Sequence, residues 1–101
     1  MKSIANRVLY IVDEKSKKCN IEIFSPVTKP DGFYYCKIKI ENAPEGLDSM
    51  EISGTDSMQA LLLAVGCLDA MVTTFNERYM NSKLRWEDDT ILDLGFSVSS
   101  D

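Results

Sequence analysis

At 101 residues, 45% apolar and 27% charged, the chain has the size and balance of a single globular domain spanning residues 1–101, with a modest core and no need of metal or disulfide staples. It contains no histidine, which removes the commonest general base and metal ligand and excludes histidine-dependent catalysis. The net charge of −5 is unevenly spread: residues 1–40 carry eight Lys/Arg against four Asp/Glu, and residues 41–101 carry three against twelve. An acidic C-terminal part repels nucleic-acid phosphates and anionic membranes and steers a basic partner inward, although plain solubility is the simpler reading of the same charge.

In chain order, residues 4–13 are rich in β-branched and aromatic side chains and predict a first strand, followed by a polar break at residues 14–18. Residues 19–25 alternate, with Cys19, Ile21 and Ile23 on one face and Asn20, Glu22 and Phe24 on the other. Pro26, Pro30 and Asp31-Gly32 then mark a hairpin loop, because proline fixes φ and glycine accepts the positive φ of a tight turn. Residues 33–41 form the clearest strand, with Tyr34, Cys36, Ile38 and Ile40 inward and Lys37, Lys39 and Glu41 outward, the pattern of an antiparallel sheet with one wet face. A loop at residues 42–46 leads to a short fourth strand with Met50 and Ile52 inward. Short connections between consecutive strands favour a meander.

At Asp56 the period changes from two to that of a helix. Gly54 ends the strand, Asp56 is the N-cap, and Gln59 reaches back in the manner of a capping box. Met58, Leu61, Leu62, Val65, Leu68, Val72, Phe75 and Tyr79 recur at three- and four-residue steps and predict the stripe packed on the sheet, in a helix ending near Met80-Asn81-Ser82. The opposite side of its first half carries Ala60, Leu63, Ala64, Cys67 and Ala70, so a second cover is expected there. The C-terminal segment, with Leu84, Trp86, Ile91, Leu92, Leu94 and Phe96, is one such cover. A protein partner, or a second copy docking around Leu63 and Cys67, is the other.

The expected fold is α+β: an antiparallel sheet of about four strands in a meander, one long helix on one face, and a short C-terminal segment that can add an edge strand. Residues 1–7 have no apolar core of an export signal, and the longest apolar run, residues 60–68, falls short of the roughly 20 needed to span a bilayer. A cytoplasmic protein with no membrane partner is expected.

Chemistry-bearing residues are few. Cys19, Cys36 and Cys67 are odd in number and widely spaced, so they read as core residues rather than a disulfide framework or a zinc site. Cys36 and Cys67 have no neighbouring histidine or cationic helix start to make a nucleophile. Glu87, Asp88, Asp89 and Asp93 beside Trp86 are consecutive in a loop and lack the alternating oxygens of a calcium site, so they read as a solvated loop or an acidic docking patch. Phe33, Tyr35, Lys37 and Lys39 interleave aromatics with lysines as some single-strand binders do, but without arginine and in an acidic chain. No phosphate-cradling motif occurs. No cofactor, metal or catalytic residue is expected.

Pro30-Asp31-Gly32, the strand over residues 35–40, Gly54-x-Asp56-Ser57-x-Gln59-Ala60-Leu61, the lone Trp86 and Asp93-Leu94-Gly95-Phe96 together resemble a family of small bacterial proteins, a domain of unknown function of about this length. The resemblance covers most of residues 20–96 and implies the fold rather than an activity. In size, acidity and lack of catalytic groups the chain is also similar to bacterial immunity proteins, which neutralise the toxin domains of contact-dependent growth inhibition. That likeness of class implies a partner-binding protein, with Trp86, Glu87, Asp88, Asp89 and Asp93 as one contact patch and Glu45, Asp48 and Glu51 as a second. A structural or phage-associated domain acting as a homodimer is the alternative.

Overall fold

The computed structural model describes residues 2–11, 14–43, 47–78 and 83–85. Within them the chain runs β1 (Ser3–Ile11), β2 (Glu14–Phe24), β3 (Val27–Thr28), β4 (Tyr34–Glu41), β5 (Met50–Gly54), α1 (Ser57–Arg78) and β6 (Leu84–Arg85). All strand pairings are antiparallel, and the sheet reads β5-β4-β2-β1-β6, with β3 continuing the β2 edge of β4. The expected α+β meander is therefore the architecture, and the short C-terminal edge strand is β6, paired with β1 through Tyr10–Arg85 and Ile11–Leu84.

Two boundaries differ from the sequence reading. The polar break at residues 14–18 is instead the first part of β2, with Tyr10 opposite Lys18 and a register shift before Ile11 meets Glu14. The antiparallel ladder to β1 carries this stretch, so its charged residues do not end the strand. The segment after Phe24 is not all loop: β3 resumes the ladder after Pro26, whose missing N–H interrupts the pairing. The turn that follows closes with Gly32 N–H on Lys29 O (2.9 Å) and Lys29 N–H on Phe33 O (3.0 Å), and Gly32 takes the positive φ of 88° that the turn demands.

The core lies between one sheet face and α1. Leu9, Ile11, Cys19, Ile21, Ile23, Cys36 and Ile38 are buried on the sheet side, joined by Leu47 from the segment before β5 and by Leu84 from β6. Met50, Ile52, Tyr34 and Ile40 pack around them, so the inward faces expected for these strands hold. Burying an apolar side chain of this size contributes about 1.5–3 kcal/mol.

The helix start is capped as its residues require. Asp56 Oδ1 accepts the Gln59 N–H at 2.7 Å, and Ala60 N–H reaches Asp56 O at 3.1 Å to open the ladder. Gln59 Oε1 reaches back to the N–H and hydroxyl of Thr55 at 2.7 and 2.9 Å, one residue before the cap.

The packed face of α1 keeps Leu61, Val65, Leu68, Val72 and Phe75 of the expected stripe and corrects its first turns. The buried stripe is Ala60, Ala64, Leu68, Val72, Phe75 and Asn76, flanked by Leu61, Val65 and Met71. Met58 and Leu62 do not face the sheet; they are 70% and 57% exposed. The cause is the strand-to-helix junction. Gly54 is buried so close to the first helical turn that a Cβ there would lie 2.5 Å from the Ala60 nitrogen. That contact with the helix backbone requires glycine at position 54, and Ala60 and Ala64 one turn on are buried on the inward side. Tyr79 and residues 80–82 lie outside the described residues.

Candidate partner-binding surfaces

Among the described residues three surfaces are left once the core is closed: the outer sheet face, the groove between α1 and strands β1 and β2, and the solvent side of α1. On the outer face Tyr35 of β4 and Glu51 of β5 are cross-linked to the turn after β3. Lys29 Nζ sits 2.6 Å from Glu51 Oε1 and 4.1 Å from the Tyr35 ring centroid. The Tyr35 hydroxyl donates to Asp31 Oδ2, and Asp31 Oδ1 accepts the Phe33 N–H at 2.9 Å. The Tyr35 hydrogen bond, then the Phe33 N–H, hold the Asp31 carboxyl below its ordinary range, and the same contact pushes the Tyr35 phenol up. This network fixes the turn onto the sheet.

Further along the same face, Asn6, Val8, Asn20, Glu22, Lys39 and Glu41 line an open trough of about 290 Å³. Lys39 Nζ lies 2.7 Å from Glu41 Oε1, and that hydrogen bond raises the Lys39 ammonium above its usual range. Of the aromatic-lysine set on β4, Phe33 and Lys39 are exposed, while Tyr35 and Lys37 are half-buried and Tyr35 is engaged by Lys29.

The sequence-derived contact residues are divided. Asp48 is exposed in segment 47–49, and Glu51 points outward from β5 but is paired with Lys29, which lowers its value to a basic partner. Glu45 and the set Trp86, Glu87, Asp88, Asp89 and Asp93 lie outside the described residues. Among the described residues no group of three or more His, Cys, Asp and Glu could hold a metal ion. Burial pushes the Cys19 thiol up to about 11 and raises Cys36 as well, which makes both poor nucleophiles. Cys67 is exposed, with its sulfur 3.6 Å from that of Met50.

The motif that opens the helix, its cap satisfied and its Gly54 demanded by the Ala60 contact, lies within a family-model match over residues 5–98 to DUF6968, a domain of unknown function. The chain belongs to the DUF6968 family. No curated protein and no solved structure matches it. The match extends the resemblance toward both ends, to β1 and past the D-L-G-F segment.

In this DUF6968 chain the most exposed large apolar side chains, Met58, Leu62 and Leu63, are on α1. Ala5, Ile21, Ile23, Val65 and Leu68 line a groove of about 190 Å³ between helix and sheet. On the solvent side, Met58, Leu62 and Leu63 are 70%, 57% and 50% exposed. At 22 residues α1 is long and apolar enough, by length and composition alone, to cross a membrane, yet its Ala60–Phe75 stripe is closed against the sheet.

Sequence reasoning missed Asn76. It is 6% exposed and grips the backbone of Leu84 from both sides: its Nδ2 donates to Leu84 O and its Oδ1 accepts the Leu84 N–H, each at 2.8 Å. A polar residue on the packed stripe, one step after Phe75, was the available signal.

Proposed function

We propose that the chain is a non-enzymatic cytoplasmic binding protein, an immunity protein that neutralises a cognate toxin domain by occlusion. The observation that carries this reading is the outer face of the sheet. Among the described residues no helix covers it, its turn is locked by the Lys29–Glu51 and Tyr35–Asp31 contacts, and it offers a broad polar surface of fixed shape. A preorganised face of this kind binds with little ordering cost. The acidic excess of residues 41–101 supplies steering toward the basic substrate site of a toxin such as a nuclease. Trp86 is the aromatic anchor in this reading, and Glu87, Asp88, Asp89 and Asp93 pair with the toxin's lysines and arginines.

The test is rescue of growth. A bacterium expressing the toxin domain encoded beside this gene should survive when the chain is co-expressed, and purified toxin should bind it with an on-rate that falls as salt rises. Reversal of Glu87, Asp88 and Asp89 to lysine should slow association at least about tenfold at low salt. No rescue by the wild-type chain removes the immunity reading; rescue with unchanged association of the triple variant removes the acidic-patch mechanism alone.

A further inference from the structure

We propose that residues 86–90 continue β6 along the outer edge of β1, in the register that β6 sets, and carry two acids onto the rim of the outer-face trough. The described part of β6 is two residues long, with Leu84 opposite Ile11 and Arg85 opposite Tyr10. Antiparallel pairing there points the chain beyond Arg85 along β1 toward Ser3. Among the described residues no other pairing covers that edge of β1. An open sheet edge of this length is a liability that folds cover. The chain's own segment is the occupant because it is already seated on the edge and reaches the rest of it without a connecting loop. The family match over residues 5–98 spans both β1 from Ala5 and this segment, so the two belong to one unit.

Carrying the pairing on one residue at a time sets Trp86 opposite Leu9 and Asp88 opposite Arg7. Leu84 is buried on the core side, so by alternation Trp86 and Asp88 share its side. Each finds a match there. Leu9 supplies an apolar neighbour for the indole, and Arg7 lines the groove with Ile21, Val65 and Leu68, where an acid beside the guanidinium offsets the apolar surroundings. Opposite charges facing each other across strands stabilise a sheet, and like charges oppose it. The ladder of β1 to β2 shifts between Ser3 and Ala5, which ends the regular pairing at Thr90. Ile91 then comes level with Ile4, a large apolar side chain that is 47% exposed. A slip of one residue would turn Trp86 away from the core side and lose these matches.

The remaining two acids alternate to the other face. Glu87 falls opposite Val8 and Asp89 opposite Asn6, and Val8 and Asn6 line the trough that also holds Glu22 and Glu41. The outer face thereby gains an acidic rim suited to a partner surface that bears lysines and arginines. This part rests on the immunity reading and narrows it: Glu87 and Asp89 meet the partner, while Asp88 is held by Arg7. An edge strand is open along its outer flank, so Trp86 packs beside Leu9 and still reaches a partner.

Backbone NMR of the full chain tests the docking without any toxin, so its failure is separate from failure of the immunity reading. Proton contacts between Leu9 and Trp86 and between Arg7 and Asp88, with slow amide exchange across residues 86–90, are expected at every concentration. Trp86 is the chain's one tryptophan and reports the same docking by fluorescence. Asp88→Lys should shift the segment toward the undocked state by about fivefold and open the indole to acrylamide quenching. Arg7→Glu combined with Asp88→Lys should restore protection, and Glu87→Lys or Asp89→Lys should leave the segment docked. Circular dichroism checks that each variant is folded, and the wild-type contacts decide the matter where one is not. Unprotected amides over residues 86–90 or contacts in a shifted register overturn the proposal. So do contacts that appear only as concentration rises, which would make a second copy the source of the strand, and undocking by Glu87→Lys as strong as that by Asp88→Lys.

Discussion

The first turns of α1 are apolar on two sides that are opposite in fate. One side, Ala60, Ala64, Leu68, Val72 and Phe75, is closed against the sheet; the other, Met58, Leu62 and Leu63, faces solvent. By side-chain size Met58 and Leu62 outweigh Ala60 and Ala64 over the first two turns, so hydrophobicity alone draws that part of the stripe on the wrong side. The junction holds the backbone of Ala60 so close to Gly54 that no Cβ fits at position 54, which brings the Ala60 side of the first turn against the sheet. The contrast teaches that a short strand-to-helix junction sets the rotation of the helix before its apolar residues are apportioned.

Truncating matched leucines gives the largest separation between the two sides. Leu68→Ala should cost about 3 kcal/mol in urea unfolding, through lost burial and the cavity left behind. Leu62→Ala, on the exposed side, should stay within about 0.5 kcal/mol, measured at concentrations where the chain is monomeric. Equal losses would mean that α1 is turned differently in solution.

The cysteines divide along the same line and sharpen it with pH. Cys19 and Cys36 lie under the packed side, and Cys67 lies on the open flank. The Cys19 thiol is raised from 9.0 to about 11 by burial, so between those values the unfolded chain loses a proton that the folded chain keeps. The folded state then binds more protons, and stability falls as pH rises. The contribution is fully present below about pH 9 and is lost as the pH rises toward 11. Urea midpoints taken from pH 8 to 11 should show the fall, and Cys19→Ala should flatten it. A thiol reagent at neutral pH should modify Cys67 in the native chain before either buried cysteine.

The two glycines give the smallest effects, of opposite sign. Gly54→Ala forces a Cβ against the Ala60 nitrogen and should destabilise by about 2 kcal/mol. Gly66→Ala meets open space and should stabilise the monomer by roughly 1 kcal/mol through helix propensity. Thermal melts of the two variants check both signs, and a stabilising Gly54→Ala would refute the junction as the device that orients the helix.

Much of the fold was legible because local signals agreed. The alternation at Cys19, Ile21 and Ile23 and at Tyr34, Cys36, Ile38 and Ile40 marked the inward face of the sheet, and Asp56 with Gln59 marked the start of α1. The packed side of α1 was legible at Leu61, Val65, Leu68, Val72 and Phe75, but not in its first turns, where Ala60 and Ala64 pack while the larger Met58 and Leu62 face solvent. A steric contact between Gly54 and Ala60 has no periodicity to betray it. The extension of β2 to Glu14 was hidden by composition, since charged residues near a hairpin tip look like a turn. Of the contact residues, the pairing of Glu51 with Lys29 crosses 22 positions and leaves no local trace. Asp48 was found as the exposed acid its sequence suggests.

Asn76 carries a consequence of its own. Its carboxamide presents to Leu84 the same donor and acceptor that a neighbouring strand would, so β6 is held by a peptide-like group borne on a side chain. Such a group has no ionisable proton, and the pair of 2.8 Å bonds is indifferent to the acid and alkali that alter Asp31, Lys39 and Cys19. The last turns of α1 and the β1 edge are thereby tied as one body. Acid or alkali that shifts the charges elsewhere leaves these two bonds their donor and their acceptor.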